Sequence, residues 1–264
     1  MFDVNREYGV LCLAAALGGA VNAIAGGGTL LTFPALFAAL GTSPAAAVVA
    51  NATSTVALVP GSIAALYGYR REIRQERRWA GLLLAPSLAG GLLGTLLVLS
   101  SPSAFKAAVP WLILTAAGLF ALQPQISRWT GIGQQPRPQG HSRPMIVGAS
   151  CFQFFVAVYG GYFGAGIGIL MLSALALLGL GDIHRMNAVK TLLASLINGM
   201  SALVFILSGN VHWPYALAMA IASSIGGYLG AHTARRIDRR LVRAGVVCIG
   251  FGLAGYYFFR QFSA

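Results

Sequence analysis

Residues 22–40 read NAIAGGGTLLTFPALFAAL, and residues 159–180 read YGGYFGAGIGILMLSALALLGL. In both, a glycine cluster interrupts an apolar run, and the stretch beyond it (29–40 or 168–180) is apolar but brief. At ~1.5 Å of rise per residue such a helix spans less than ~20 Å, against a hydrocarbon core of ~30 Å. A short apolar stretch after a break is either the returning arm of a re-entrant hairpin or half of a thin pair of crossings.

Longer apolar segments surround these two: 8–25, 44–67, 79–99 and 105–122 in the first half, 145–163, 184–207, 214–233 and 241–259 in the second. Most approach the ~20 residues a bilayer requires. The chain is 57% hydrophobic and 9% charged. A soluble protein of that composition would expose apolar patches and aggregate, whereas lipid tolerates apolar surface and penalises charge. The fold class is therefore all-α integral membrane.

The net charge of +12 does not indicate nucleic acid, because the arginines sit at the borders of apolar segments, where topology and snorkelling place them. Cys12, Cys151 and Cys248 stand singly in apolar stretches and read as small packing residues. The run 10–25 has no basic cluster before it and continues in apolar sequence, so it reads as mature protein rather than a signal peptide.

A linker, 123–144 (QPQISRWTGIGQQPRPQGHSRP), divides a first membrane repeat, 1–122, from a second, 145–264. AGGGTLL (25–31) matches AGIGILM (165–171), and SLAGGLLG (87–94) matches SSIGGYLG (223–230). Basic residues set orientation. They crowd three expected loops, 68–78, 123–144 and 234–243, which are assigned to the cytoplasm, with both termini outside. Of the 18 Lys and Arg residues, only Arg6, Lys106 and Arg260 then fall on the outer side. This count gives hairpin 8–40 both ends outside and unit 145–180 both ends inside. Each half becomes a broken or re-entrant helical hairpin plus three transmembrane helices, and the two halves run in opposite directions. Inverted repeats with interrupted segments at corresponding positions are characteristic of secondary transporters.

Glycine permits tight non-helical backbone and close approach to a ligand. The helices that begin after each break would aim positive dipole ends at the membrane centre, a place for an anion. Candidate substrate-binding residues at the first break are Asn22, Gly26, Gly27, Gly28 and Thr29, and at the second Gly164, Gly166 and Gly168. Asn51, Thr53 and Ser54 lie in the long segment of half one, and Lys190, Thr191 and Asn198 in that of half two. The alternatives are simple: the glycines let helices pack closely, and the hydroxyl and amide groups bond between helices. Lys190, the one formal charge well inside a span, either attracts substrate or snorkels to the inner surface. All six carboxylates fall in loops or near ends, and the four histidines are scattered without ligand spacing. No metal cluster, phosphate-binding loop or nucleophile–base pair is present in the sequence, so an enzyme, an ATPase and a cation pump are disfavoured. No cofactor is expected, and a neutral or anionic cargo is.

The runs AGGGTLLTFP (25–34), GTSPAAAVVANATS (41–54), PGSIAA (60–65), GYFGAGIG (161–168), HRMNAVKT (184–191) and NVHW (210–213) resemble, in order and spacing, the sulfite exporter TauE/SafE family of membrane permeases. The resemblance covers nearly the whole chain. It implies a permease of a bacterial inner membrane for a small sulfur-containing oxyanion such as sulfite, thiosulfate or an organosulfonate, working by alternating access. Partners would be that anion and membrane lipid, with a coupling proton or sodium ion and a homodimer both compatible. A permease for another small anion, or a non-transporting membrane binding or assembly subunit, are the other readings.

Overall fold

A computed structural model describes residues 4–130, 143–178, 180, 182–233 and 239–262. Among them every regular element is a helix: α1 Val4–Ala25, α2 Thr29–Leu40, α3 Pro44–Gly68, α4 Arg70–Gln75, α5 Arg77–Ser100, α6 Pro102–Thr130, α7 Arg143–Tyr162, α8 Ile167–Leu177, α9 Ile183–Leu207, α10 Trp213–Thr233 and α11 Arg239–Phe262. Five of these (α3, α5, α6, α7 and α9) are long and apolar enough to cross a membrane. The two segments after the glycine breaks are short helices of 12 and 11 residues, as their lengths in the sequence require. Lipid is the solvent for the outward faces. Leu93, Leu96 and Leu97 on α5 and Leu217, Ile221 and Ile225 on α10 are exposed, a placement stable in hydrocarbon and not in water.

The polar borders differ from the expected loops. The basic segment 68–78 is mostly helix, being α4 and the start of α5. Its Arg, Glu and Gln residues mark the edge of the membrane yet are themselves good helix formers. The segment 123–144 opens as the last turns of α6, which run to Thr130, and closes as the first residues of α7. Its centre, 131–142, lies outside the described residues, as does 234–238 of the third basic segment. Side-chain caps fix two other boundaries. Ser43 accepts from the N–H of Ala46 at 3.0 Å ahead of Pro44, which opens α3. Asp182 accepts from the N–H of His184 at 2.8 Å and starts α9.

The halves are interlocked. The first helix of each half packs along a late helix of the other, α1 on α10 and α7 on α5, and α3 and α9 join these pairs as α3 on α10 and α9 on α5. Glycine makes both interfaces possible. A Cβ on Gly226 would collide with the carbonyl of Ala16, and one on Gly19 with the carbonyl of Ser223. Across the other interface, Gly161 faces the carbonyl of Gly91, and Gly90 and Gly94 face the carbonyls of Phe154 and Val158. The motifs SLAGGLLG and SSIGGYLG are thus small-residue seams that bring backbones together. Buried hydroxyls add to this packing: Gln153 donates to Ser87 at 2.9 Å across α7 and α5, and Ser223 donates to the carbonyl of Ala57, tying α10 to α3.

Two apolar clusters mark opposite ends. One gathers Phe37 at the end of α2, Ala46 at the start of α3, Val98 near the end of α5, Phe105 at the start of α6 and Tyr257 late in α11. At the same end the start of α1 meets the start of α10 through Tyr8 and Tyr215, whose rings lie 5.2 Å apart. The other cluster gathers Trp79 at the start of α5, Leu178 and Leu180 after α8, and Met186 at the start of α9, with Met145 of α7 packed against it. There Arg185 pairs with Glu76 at 3.2 Å. Hairpin α1–α2 therefore has both ends at one face, and hairpin α7–α8 has both ends at the other.

Candidate functional site

The two hairpins meet at their breaks. Gly26 and Gly166, which correspond in AGGG and AGIG, both take positive φ, +75° and +80°, the left-handed region where a side chain costs most. The N–H of Gly166 donates to the carbonyl of Gly26 at 3.3 Å. A Cβ on Gly26 would stand 3.3 Å from Cα of Gly168 and 3.5 Å from its N, so the two non-helical segments are in backbone contact. Helix α6 seals one side of the junction. The Phe120 ring occupies the space a Cβ on Gly27 would need, and Leu119 lies against Gly166.

Each break is clamped by a neighbour. Thr32, fully buried, donates to the carbonyl of Gly28 at 3.2 Å and shares a 2.6 Å hydrogen bond with Ser54. The Tyr159 hydroxyl donates to the carbonyl of Ala165 at 2.8 Å. Neither Thr32 nor Tyr159 is among the candidates that sequence reasoning selects. The available signal was their position, one turn into or just ahead of a glycine cluster.

Polar side chains converge on Gly164, whose φ is +83°. A Cβ there would stand 3.2 Å from the Gly160 carbonyl oxygen, 3.7 Å from the Thr29 hydroxyl oxygen and 3.8 Å from Asn198 Oδ1. Thr29 opens α2 and Asn198 belongs to α9, so three elements supply one small polar recess. Neither α2 nor α8 has a side-chain cap at its N-terminus. At α2 the N–H groups of Leu30 and Leu31 are bonded to the carbonyls of Gly27 and Gly28, and at α8 that of Ile169 to Gly166. The positive ends of both dipoles remain directed at the junction. Asn51 is buried and donates to the carbonyl of Tyr162 at 3.2 Å, joining α3 to the end of α7, while its Oδ1 is buried without a partner.

The remaining candidates are distributed otherwise. Asn22 donates to Ser62 at 3.2 Å, linking α1 to α3. Thr53 accepts from the N–H of His212 at 3.0 Å and anchors the turn before α10. With Ser54 bonded to Thr32, both hydroxyls are engaged between elements and wholly buried. Gly28 is a packing glycine as well as a break residue, since a Cβ there would meet the carbonyl of Gly18. Lys190 and Thr191 precede Asn198 on α9 by about 12 and 10 Å along the axis, so they stand nearer the Glu76 end than the recess. Lys190 is only 4% exposed, so its side chain is packed within the protein. Among the described residues, no group of His, Cys, Asp and Glu could hold a metal ion, and the described carboxylates, Glu7, Glu72, Glu76 and Asp182, lie at helix ends. The junction thus brings together two glycine breaks, the starts of two helices and the Thr29 and Asn198 side chains.

Comparison with known proteins bears on this geometry. The family model described as Sulfite exporter TauE/SafE matches residues 11–257. The protein named "Probable membrane transporter protein YfcA" of Escherichia coli (strain K12) is 31% identical over 243 residues, 91% of this chain and 86% of that one. A "Probable membrane transporter protein" of Haemophilus influenzae is 30% identical over 88% of this chain and 86% of its own. "Probable membrane transporter protein ORF9" of a Sinorhizobium species is 28% identical over 92% and 89%. No solved structure gives a significant match. With its family model covering both hairpins and every helix between them, the chain belongs to the sulfite exporter TauE/SafE family of membrane transporters.

Proposed function

We propose that this transporter moves a small sulfur-containing oxyanion, of the sulfite, thiosulfate or organosulfonate class, across the cytoplasmic membrane by alternating access. The observation that carries the proposal is the backbone contact between the two glycine breaks, Gly26 to Gly166, beside the recess of Gly164, Thr29 and Asn198. An oxyanion there is met by the Thr29 hydroxyl and the positive ends of two helices, and by the Asn198 amide once its nitrogen is turned inward, with no carboxylate to repel it. Sulfur oxyanions suit such a site because their charge is spread over oxygens that accept several neutral hydrogen bonds. The family's name points to the same cargo.

Alternating access is consistent with the hairpins' disposition. Hairpin α1–α2 opens toward the Lys106 face and hairpin α7–α8 toward the Glu76 face, which supports an inverted two-fold repeat with the recess at its centre. Rocking about the α3–α9 contact would uncover the junction first to one face and then to the other. The basic segments put the Glu76 face in the cytoplasm, where Lys190 would draw the anion inward.

The purified protein in liposomes should show saturable uptake of sulfite, thiosulfate or a small organosulfonate, and imposed proton and sodium gradients would identify the coupling ion. Absence of flux for all three under every gradient, from protein shown to be folded and inserted, refutes the proposed cargo class.

A further inference from the structure

We propose a second anion site, away from the junction, that holds the headgroup of an anionic phospholipid at the Lys106 face. A cavity of about 530 Å³ opens there between the end of α2, the turn into α3, the start of α6 and the last turns of α11. Lys106 of α6 and Arg260 of α11 both line it, with the hydroxyls of Thr42 and Ser103, and Phe37 and Tyr257 form part of its wall. No carboxylate lines the cavity, and among the described residues neither cation takes part in an ion pair. The starts of α3 and α6 add the positive ends of two helix dipoles. Four sources of positive potential, on three helices, thus surround one opening.

A lone basic residue at a helix end is an ordinary interfacial anchor. Here two, from helices far apart in sequence, face one cavity whose remaining surface is largely apolar. A cationic rim over an apolar wall fits an anion that carries an apolar body. The level of the opening fits as well. Trp111 packs edge-on against Phe258 at 4.8 Å, and Trp111, Tyr256 and Phe259, each next in sequence to a lining residue, are exposed. Such an aromatic girdle marks the headgroup layer of a bilayer. Basic pockets between transmembrane helices hold anionic lipid headgroups at the cytoplasmic side of membranes, and this cavity offers the same chemistry at the opposite face.

The site is tested on the full chain in nanodiscs of phosphatidylcholine containing phosphatidylglycerol, with retained lipid read by native mass spectrometry. The wild type should retain phosphatidylglycerol preferentially. K106Q/R260Q should retain it about thirtyfold less well, from the loss of two interfacial cations. K106R/R260K, which keeps both charges, should retain the preference, as should R77Q/R78Q, which removes two charges at the opposite end. Wild-type retention in K106Q/R260Q, or an equal loss in R77Q/R78Q, overturns the site. In a second arm, methanesulfonate or inorganic phosphate is added to the wild type. Displacement of phosphatidylglycerol by either would assign the cavity to a free anion and overturn the lipid, whereas retention supports it.

Discussion

Alanine at Gly26 and at Gly166 should have unequal effects, although the two positions correspond in the repeat and share almost the same φ, +75° and +80°. Each substitution forces a Cβ into the left-handed region, at ~1–2 kcal/mol, and each recovers ~0.4–1 kcal/mol through the less flexible unfolded chain. Those terms are common to both. The surroundings differ. At Gly166 the nearest atom to a new Cβ is Leu119 Cδ1 at 3.4 Å, the tip of a side chain that can turn aside. At Gly26 the nearest atoms are Cα and N of Gly168, at 3.3 and 3.5 Å, and backbone of the facing hairpin cannot yield without moving that hairpin. Overpacking of this kind adds ~1–3 kcal/mol. Gly26→Ala should therefore destabilise the protein by ~1–5 kcal/mol and Gly166→Ala by ~0–2 kcal/mol, from the sum of these terms. Unfolding of the purified variants by titrating SDS into mixed micelles gives the order of stability, and liposome flux should fall in the same order. Equal destabilisation, or a larger effect at Gly166, would mean that the breaks are not packed backbone to backbone and would remove the basis of the proposed site.

Other expectations concern the recess, the moving parts and the cap of α9. Thr29→Val and Asn198→Ala should each raise the KM for the transported anion by about tenfold or more, the worth of a hydrogen bond to a charged group, with unchanged SDS unfolding; unchanged KM in both would exclude them from binding. In a background free of Cys12, Cys151 and Cys248, oxidation of S62C/S195C, which bridges α3 and α9 where Ser195 donates to the Ser62 carbonyl at 3.5 Å, should stop flux until reduced. S87C/Q153C, across α5 and α7, should transport whether oxidised or not, and the opposite pattern would refute rocking about α3–α9. Hydrogen bonding from the His184 N–H above all holds the Asp182 carboxyl below its ordinary value. Its stabilisation is then complete above the unfolded value of about 4 and lost as pH falls through the lower folded one. Asp182→Ala should cost at most about 1 kcal/mol near neutral pH, with the gap to wild type closing in acid, as read by unfolding at several pH values; a gap that persists in acid would show that the carboxylate is not what caps α9.

The hairpins and their breaks were legible because two independent signals coincide at each, a glycine cluster and an apolar run too short to cross. The partners of the polar residues were not. In a soluble helix the polar face points to water, and periodicity reports it; in α3 both lipid and neighbouring helices demand apolar or small side chains, so nothing in the sequence separates Thr53 and Ser54, spent between elements, from a residue facing the junction. The border helices were obscured for a related reason. Charge marks where the membrane ends, and the helix of Arg70–Gln75 shows that it need not mark where helix ends. Tyr159 stands at the start of a glycine run and is the clamp of that run, a role that depends on a carbonyl six residues ahead being turned toward it.

Glycine is one letter with two physical uses here, and separating them identifies what moves with what. Gly19, Gly90, Gly94, Gly161 and Gly226 are helical and face a neighbouring backbone, so it is space that denies them a side chain. Gly26, Gly164 and Gly166 have positive φ, so it is conformation that does. The first set joins α1 to α10 and α7 to α5 at backbone distance, where sliding would drive carbonyl oxygens into Cα atoms. Those pairs must travel as units, although each combines helices from different halves of the sequence. The second set meets across the centre through a single backbone hydrogen bond, Gly166 to Gly26, whose loss costs little compared with opening a glycine seam. In the proposed alternating-access cycle the rigid bodies would be exchanged bundles, α1, α2, α3 and α10 against α7, α8, α9 and α5. Each would then carry one hairpin and one positive helix end to the recess, with the α3–α9 contact as the hinge between them.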